Sequence, residues 1–304
     1  MSGLGGRLGD MGYGVGWRLV RALPETLATA AFSLGADIAA RRDGEKVRQL
    51  RSNLARVVPQ AGPVELDELT RRSLRSYARY WQEAFRLPSM DLTAVYREAD
   101  RTISGVENLD AALAEGNGAV VALPHSGNWD VAGVWLVGHS GRFTTVAERL
   151  EPDSLYRRFV AYRESLGFEV VPADGAASFR LLLQRLRENR VVCLVADRDL
   201  TTSGVPVTFF GAEARLPGGP ARLAASTGAA LLPVGSWFSD GGWGLRVHPR
   251  IRVNDRAEVP AATQALADIF AGDIAAHPTD WHMMQRFWVA DLPREHPVRA
   301  RKAG

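Results

Sequence analysis

From Gly105 onward the sequence alternates short apolar runs with helix-length polar segments, and this alternation restricts the architectures open to the chain more than any other feature. The runs are Ala119 to Leu123, Phe143 to Val146, Glu169 to Val171, Val191 to Ala196 and Ala230 to Val234. Helical patterns fall between them, near Val131 to Gly138, Pro152 to Leu166, Ser178 to Glu188 and Pro220 to Thr227. When each strand is followed by a helix, the chain returns to the next strand in parallel. The pattern therefore predicts an α/β fold, a largely parallel central sheet flanked by helices. Ligands of open α/β sheets gather beyond the carboxyl ends of the strands, so the residues directly after each run are the first candidates for chemistry.

Ahead of this core, residues 1–90 read as helical. Val20, Leu23, Leu27, Leu34 and Ile38 recur at helical spacings as one apolar stripe, with Trp17 at its start. A second segment, about Leu66 to Phe85, places Leu66, Leu69, Leu74, Tyr77, Trp81 and Phe85 broadly on one side. Arg71, Arg75 and Arg79 line another face, which meets either solvent or lipid phosphates. This amphipathic region is expected to pack on the α/β core of residues 105–292. With no internal repeat and no low-complexity linker, all of 1–304 is read as a single domain.

Composition excludes several classes. With 46% hydrophobic and 23% charged residues the chain is an ordinary globular sequence rather than a disordered one. The nearly charge-free stretch Ala22 to Ala36 is interrupted by Pro24 and Glu25 and falls short of the roughly 20 apolar residues of a membrane span. The amino terminus, with Arg7 and Asp10, lacks the order of a secretory signal, and a cytoplasmic chain is expected. The single cysteine, Cys193, excludes an internal disulfide and a cysteine-rich metal site. A net charge of +3 suits anionic lipid or coenzyme phosphate. No zinc-finger spacing, RNP motif or long basic arm is present, so no nucleic-acid partner is expected; the tail with Arg294, Arg299, Arg301 and Lys302 reads as a solvated end.

The run Ala119 to Leu123 leads through Pro124 into His125, Ser126, Gly127, Asn128, Trp129 and Asp130, and then directly into a helical pattern. His125 thus sits at a strand's carboxyl end, where a neutral imidazole can take a proton from a substrate hydroxyl. Asp130, in the first helical turn, is expected to reach back to the other ring nitrogen and fix its tautomer. Asn128 adds a polar contact for substrate in the turn. No protein nucleophile is required when the attacking group belongs to the substrate. The segment Gly138 to Arg142 lacks the last glycine of a serine elbow and reads as a helix-ending loop with His139 exposed, and Ser126 is a poorly placed nucleophile.

Other strand ends add candidates. Asp197, Arg198 and Asp199 follow Val191 to Ala196, and alternation would turn both carboxylates the same way, at the same rim as His125. One of them either orients the histidine or opens an acidic turn, while Arg198 either pairs with phosphate or neutralises its neighbours. Glu148 and Arg149 follow Phe143 to Val146; Glu148 suits sugar hydroxyls, and Arg158 or Arg163, on the next helix, suits phosphate. Gly218 and Gly219 open a helix at which backbone amides could hold an anion or a developing oxyanion. Phe209 and Phe210 wall an acyl channel or belong to the core. Trp281 reads as core, and His277 and His282 form no metal spacing; no metal and no cofactor are expected.

In order, His125 to Asp130, Glu148 with Arg149, Phe209 to Gly219 and Pro233 resemble the motif set of the lysophospholipid acyltransferase superfamily, in its bacterial lipid A acyltransferase branch. Three longer stretches, PHSGNWDVAGVWL, TTVAERLEPDSLYRRFVAYRESLGFEV and HPTDWHMMQRFWVADL, are similar to the phosphatidylinositol mannoside acyltransferases of actinobacterial envelopes. The resemblance implies transfer of a long acyl chain, palmitoyl, from acyl-CoA to the 6-hydroxyl of a mannose in a mannosylated phosphatidylinositol. It implies a peripheral enzyme at the cytoplasmic face of the plasma membrane. It also implies His125 as base, Asp130 as its partner and an essential carboxylate at position 197. There the sequence departs from the mannoside group, which carries glutamate; Asp197 reaches one methylene less far.

Overall fold

The computed structural model describes residues 20–149, 153–173 and 175–300; Arg7, Asp10, Trp17, Pro152, Arg301 and Lys302 lie outside them. Its centre is a seven-stranded sheet with strand order β1-β9-β8-β2-β5-β3-β4. The strands are β1 (Ile103–Ser104), β2 (Ala119–Leu123), β3 (Thr144–Ala147), β4 (Glu169–Pro172), β5 (Val191–Val195), β8 (Ala230–Ser239) and β9 (Gly242–Val247). All neighbours run parallel except β8 and β9, which form an antiparallel hairpin. A separate antiparallel pair, β6 (Val205–Phe209) and β7 (Ala212–Leu216), lies apart from this sheet.

The expected α/β core is therefore present, with strand boundaries within a residue or two of the apolar runs except on β8, which extends further to Ser239. Every residue of β2 is buried, as a central parallel strand covered on both faces must be. Its side chains alternate. Val120 and Ala122 join Val192, Leu194 and Leu231 in one core, while Ala119, Val121 and Leu123 join Val191, Leu232 and Val234 in another. Helices α6 (Trp129–Ser140), α7 (Asp153–Ser165), α8 (Gly175–Arg187), α9 (Gly219–Thr227) and α10 (Val259–Ala276) flank the sheet, after α5 (Val106–Ala114) has led into β2.

The front region holds α1 (Glu25–Arg42), α2 (Glu45–Val57), α3 (Pro63–Arg86) and α4 (Leu92–Asp100). Helix α3 delivers Tyr80 and Ala84 into the core on the Leu123 side of the sheet, which fastens the helical region to the α/β core. The apolar stripe predicted for the first helix is oriented otherwise than expected. Helix α1 buries the small residues Ala28 and Ala36, which allow close approach, and leaves Leu27, Leu34 and Ile38 exposed at 57%, 61% and 39%. The arginine face of α3 is engaged too: Arg71 pairs with Glu68 and Asp37, Arg75 with Asp37, and Arg79 with Glu83.

Glu169 locks the far edge of the sheet. It accepts hydrogen bonds from Arg185 of α8 and Thr144 of β3 and pairs with Arg190. The Arg185 bond leads the effects that lower its pKa to about 2. A depressed carboxyl contributes stability above its unfolded value of 4.5, and that contribution is lost as pH falls toward about 2. Glu169→Gln is expected to destabilise the protein by on the order of 1 kcal/mol at neutral pH. In denaturant titrations the gap to wild type should close between pH 4.5 and about 2; a gap constant over that window would contradict the assignment.

Candidate active site

Parallel register brings His125 to Asp197. Leu123 of β2 lies opposite Val195 of β5, and the Ala196 N–H donates to the Leu123 carbonyl at 2.8 Å. His125 and Asp197 follow these partners at equal distance along neighbouring strands, so they emerge side by side at the carboxyl edge. His125 Nδ1 stands 2.6 Å from Asp197 Oδ1, and the His125 backbone N–H donates to Asp197 Oδ2 at 3.1 Å. The Trp281 indole N–H donates to the same Oδ2 at 3.1 Å. Asp197 is fully buried. Burial disfavours its charge, but the His125 ring, the Trp281 indole and the His125 amide outweigh this and hold its carboxyl below the usual value. The shorter aspartate thus reaches the ring without the extra methylene.

An ionised Asp197 accepts from Nδ1–H, which leaves the lone pair of the neutral imidazole on Nε2. Nε2 has no hydrogen-bond partner among the described residues, and the His125 side chain keeps 44% of its surface. A buried acceptor behind and an accessible nitrogen in front is the arrangement of a general base.

Asp130 does not hold that ring. From the first turn of α6 its Oδ1 accepts from Arg163 Nε of α7 at 3.1 Å, and its Oδ2 from the Tyr80 hydroxyl of α3 at 3.1 Å. The physical reason is competition: a buried guanidinium and a phenol face Asp130 from two helices, while Asp197 occupies His125 Nδ1. Asn128 is the N-cap of α6. Its Oδ1 accepts from the Asp130 and Val131 amides, and its Nδ2 donates to Glu83 at 2.6 Å, so its side chain is committed to structure. Gly127 has φ +57°, and a Cβ there would stand 2.7 Å from Ser236 Oγ and from the Trp237 nitrogen; only glycine fits the turn.

Two cavities line the sheet beside this turn. One, small, is walled by Val121, Leu123, Trp135, Cys193, Val234 and Leu245 among other apolar residues. The second shares Leu123 and Cys193 with it and adds Trp129, Asp130 and Arg163. The Trp129 ring stands edge-on to His125 at 5.5 Å between centroids. Cys193 is a cavity-wall residue whose thiol burial pushes up to about 12.

The remaining candidates scatter. Asp199 opens the acidic turn, accepting from the Thr201 amide at 2.8 Å, and makes no bond to His125. Arg198 is half-buried beside it. Glu148 and Arg149 are exposed beyond β3, with Arg149 5.8 Å from the Tyr156 ring, and Arg158 is half-buried on α7. Phe209 is not a channel wall: it is buried at the end of β6 among Trp281, Phe287 and Trp288, and Phe210 occupies the hairpin turn with φ +47°. Gly218 and Gly219 begin α9 and are joined to His125 by no hydrogen bond among the described residues. His139 is half-buried and bonded to Asp110 at 2.7 Å rather than exposed.

The segment Asp280 to His282, of which only Trp281 was read from sequence as core, is the main omission. It runs antiparallel to the catalytic turn: Gly127 N–H donates to the Asp280 carbonyl at 2.9 Å and His282 N–H to the His125 carbonyl at 2.8 Å. The Ser76 hydroxyl gives its proton to Asp280 Oδ1 at 2.6 Å and therefore accepts from His282 Nε2–H at 3.0 Å. His282 Nδ1 is buried without a partner, among the rings of Tyr77, Tyr80 and Trp129. Burial, with a smaller effect from His125, pushes this imidazole down to about 3. Its folded value lies below the unfolded 6.5, so its contribution to stability is intact above pH 6.5 and is lost as pH falls toward 3. His282→Gln should flatten the fall in unfolding free energy over that window by up to about 1.4 kcal/mol per pH unit. An unchanged slope would show that His282 is protonated in the folded chain.

These features fit what related sequences are named for. Over 298 residues the chain is 56% identical to the phosphatidylinositol mannoside acyltransferase of Mycolicibacterium smegmatis, covering 97% of this chain and 96% of that one. It is 55% identical over 294 residues to the protein of the same name from Mycobacterium tuberculosis, covering 96% and 92% of the two chains. Residues 8–289 match the family described as bacterial lipid A biosynthesis acyltransferase, and the chain belongs to that family of acyltransferases.

Proposed function

We propose that this acyltransferase moves a long acyl chain, palmitoyl, from acyl-CoA to the 6-hydroxyl of a mannose in a mannosylated phosphatidylinositol, with His125 as general base. The observation that carries this reading is the His125–Asp197 pair, with a buried carboxylate on Nδ1 and a side chain that keeps 44% of its surface. The names of the mycobacterial relatives supply the acceptor class.

In this mechanism Nε2 takes the proton of the sugar hydroxyl, and the oxygen attacks the thioester carbonyl. Asp197 stabilises the imidazolium that forms. Backbone amides or a basic side chain hold the tetrahedral oxyanion. As the carbon–sulfur bond breaks, the imidazolium returns its proton to the leaving thiolate. Asp130, which accepts from the Tyr80 hydroxyl, holds the Arg163 guanidinium in place.

No helix among the described residues is long and apolar enough to cross a membrane. Helix α1 presents Leu27, Leu34 and Ile38 along one exposed face, which suits shallow seating in the cytoplasmic leaflet of the membrane that carries the lipid acceptor.

His125→Ala and Asp197→Asn are expected to lower the rate of acyl transfer by about 10² to 10⁴ with binding of both substrates retained. Wild-type turnover by His125→Ala would refute the mechanism. Supplying the mannosylated lipid should accelerate release of coenzyme A; equal release without it would make the protein a thioesterase. Vesicle binding with no turnover at all would make it a lipid-binding scaffold.

A further inference from the structure

Trp281 stands 84 residues beyond Asp197 in sequence, yet its indole N–H is spent on that carboxylate. The ring is fully buried and held at 5.0 Å from Phe287, 6.0 Å from Phe209 and 6.1 Å from Trp288, so its orientation is set by packing on every side. Its backbone is fixed as well, because the flanking carbonyl of Asp280 and amide of His282 bond the catalytic turn at Gly127 and His125. A tryptophan has one donor, and an apolar core asks for none. Trp288, in the same cluster, gives its own N–H to the Phe209 carbonyl, an ordinary backbone partner. Trp281 instead meets the one fully buried carboxylate on the histidine.

The geometry of that carboxylate divides in two. Oδ2 receives the His125 amide and the Trp281 indole, and Oδ1 receives only the His125 ring. Two donors on one oxygen prevent the carboxylate from rotating and point the other oxygen at Nδ1. They also withdraw charge from it, which makes Asp197 a weaker acceptor for the imidazolium proton. We infer that Trp281 is a positioning residue of the base: its N–H orients Asp197 and sets how strongly that carboxylate favours the protonated histidine. The titratable groups facing the pair are His282, joined to His125 through its backbone, and, beyond Trp129, the ion pair of Asp130 with Arg163. His282 stays uncharged, which leaves Asp197 and its two N–H donors as the local control on His125.

Deleting the donor should strengthen Asp197 as a partner for the imidazolium, so the histidine holds its proton to higher pH. Two readouts separate this inference from the acyl transfer on which its kinetic arm rests. The first, independent of activity, is carbethoxylation of His125 by diethyl pyrocarbonate in the full chain, followed by peptide mass spectrometry across pH. In Trp281→Phe the midpoint of modification should move upward by about half a pH unit. The second is the pH profile of acyl transfer, whose acid limb should move the same way while kcat falls roughly 3- to 10-fold and KM is unchanged. Should the phenylalanine leave the core too loose to fold, site-specific Trp281→benzothienylalanine keeps the bicyclic shape and places sulfur where the N–H stands. A folded variant with the wild-type modification midpoint would overturn the role assigned to Trp281. A shifted midpoint in a protein that transfers no acyl group would uphold it and refute the proposed function instead.

Discussion

The site depends on a single buried contact, the bond from the imidazole of His125 to the carboxylate of Asp197. It exists because β2 and β5 are parallel neighbours in register, so the residues that leave the two strands stand next to each other without a long loop to place them. A displacement of one residue in that pairing would turn one side chain to the opposite face of the sheet, and the base would lose its partner. Burial of the strands on both faces is what protects the register.

Around this contact the protein places rigid supports rather than mobile loops. The helix cap Asn128 is bonded to Glu83, which also accepts from the Trp243 indole and pairs with Arg79, so α3, α6 and β9 meet at one carboxylate. On the other side the segment Asp280 to His282 is hydrogen-bonded to the catalytic turn and to Ser76 of α3. The helical front region is thereby part of the site's framework, while the outer face of α1 remains apolar and uncovered. Supports of this kind hold the His125 ring and its carboxylate in one fixed geometry.

The sheet was legible because its signal is local: apolar runs of three to six residues, alternating with helical patterns, need no knowledge of the rest of the chain. The same locality made His125 conspicuous at the end of Ala119 to Leu123. Its partner was harder. Asp130 is near in sequence but meets Arg163 and Tyr80, which approach from α7 and α3, and no sequence spacing announces such a competition. Asp197 was among the candidates, and strand alternation suggested that Asp199 shared its role; the chain leaves the strand after Val195, so alternation no longer applies and Asp199 caps a turn. The hairpin of β6 and β7 hid Phe209 in the core, since two phenylalanines read equally well as channel or packing. Trp281 looked like core and is core, but its one polar atom faces a carboxylate that only the folded chain brings near.

The claim on which the account stands is that Asp197 fixes His125 with the proton on Nδ1 and the lone pair on Nε2. Nitrogen-15 NMR of histidine-labelled protein, with His125 assigned by its absence from His125→Ala, reads this tautomer directly. At neutral pH the expected spectrum shows His125 protonated at Nδ1 with a strongly deshielded proton, and that signal should vanish in Asp197→Asn. A neutral ring carrying its proton on Nε2, or a spectrum indifferent to Asp197, would contradict the account.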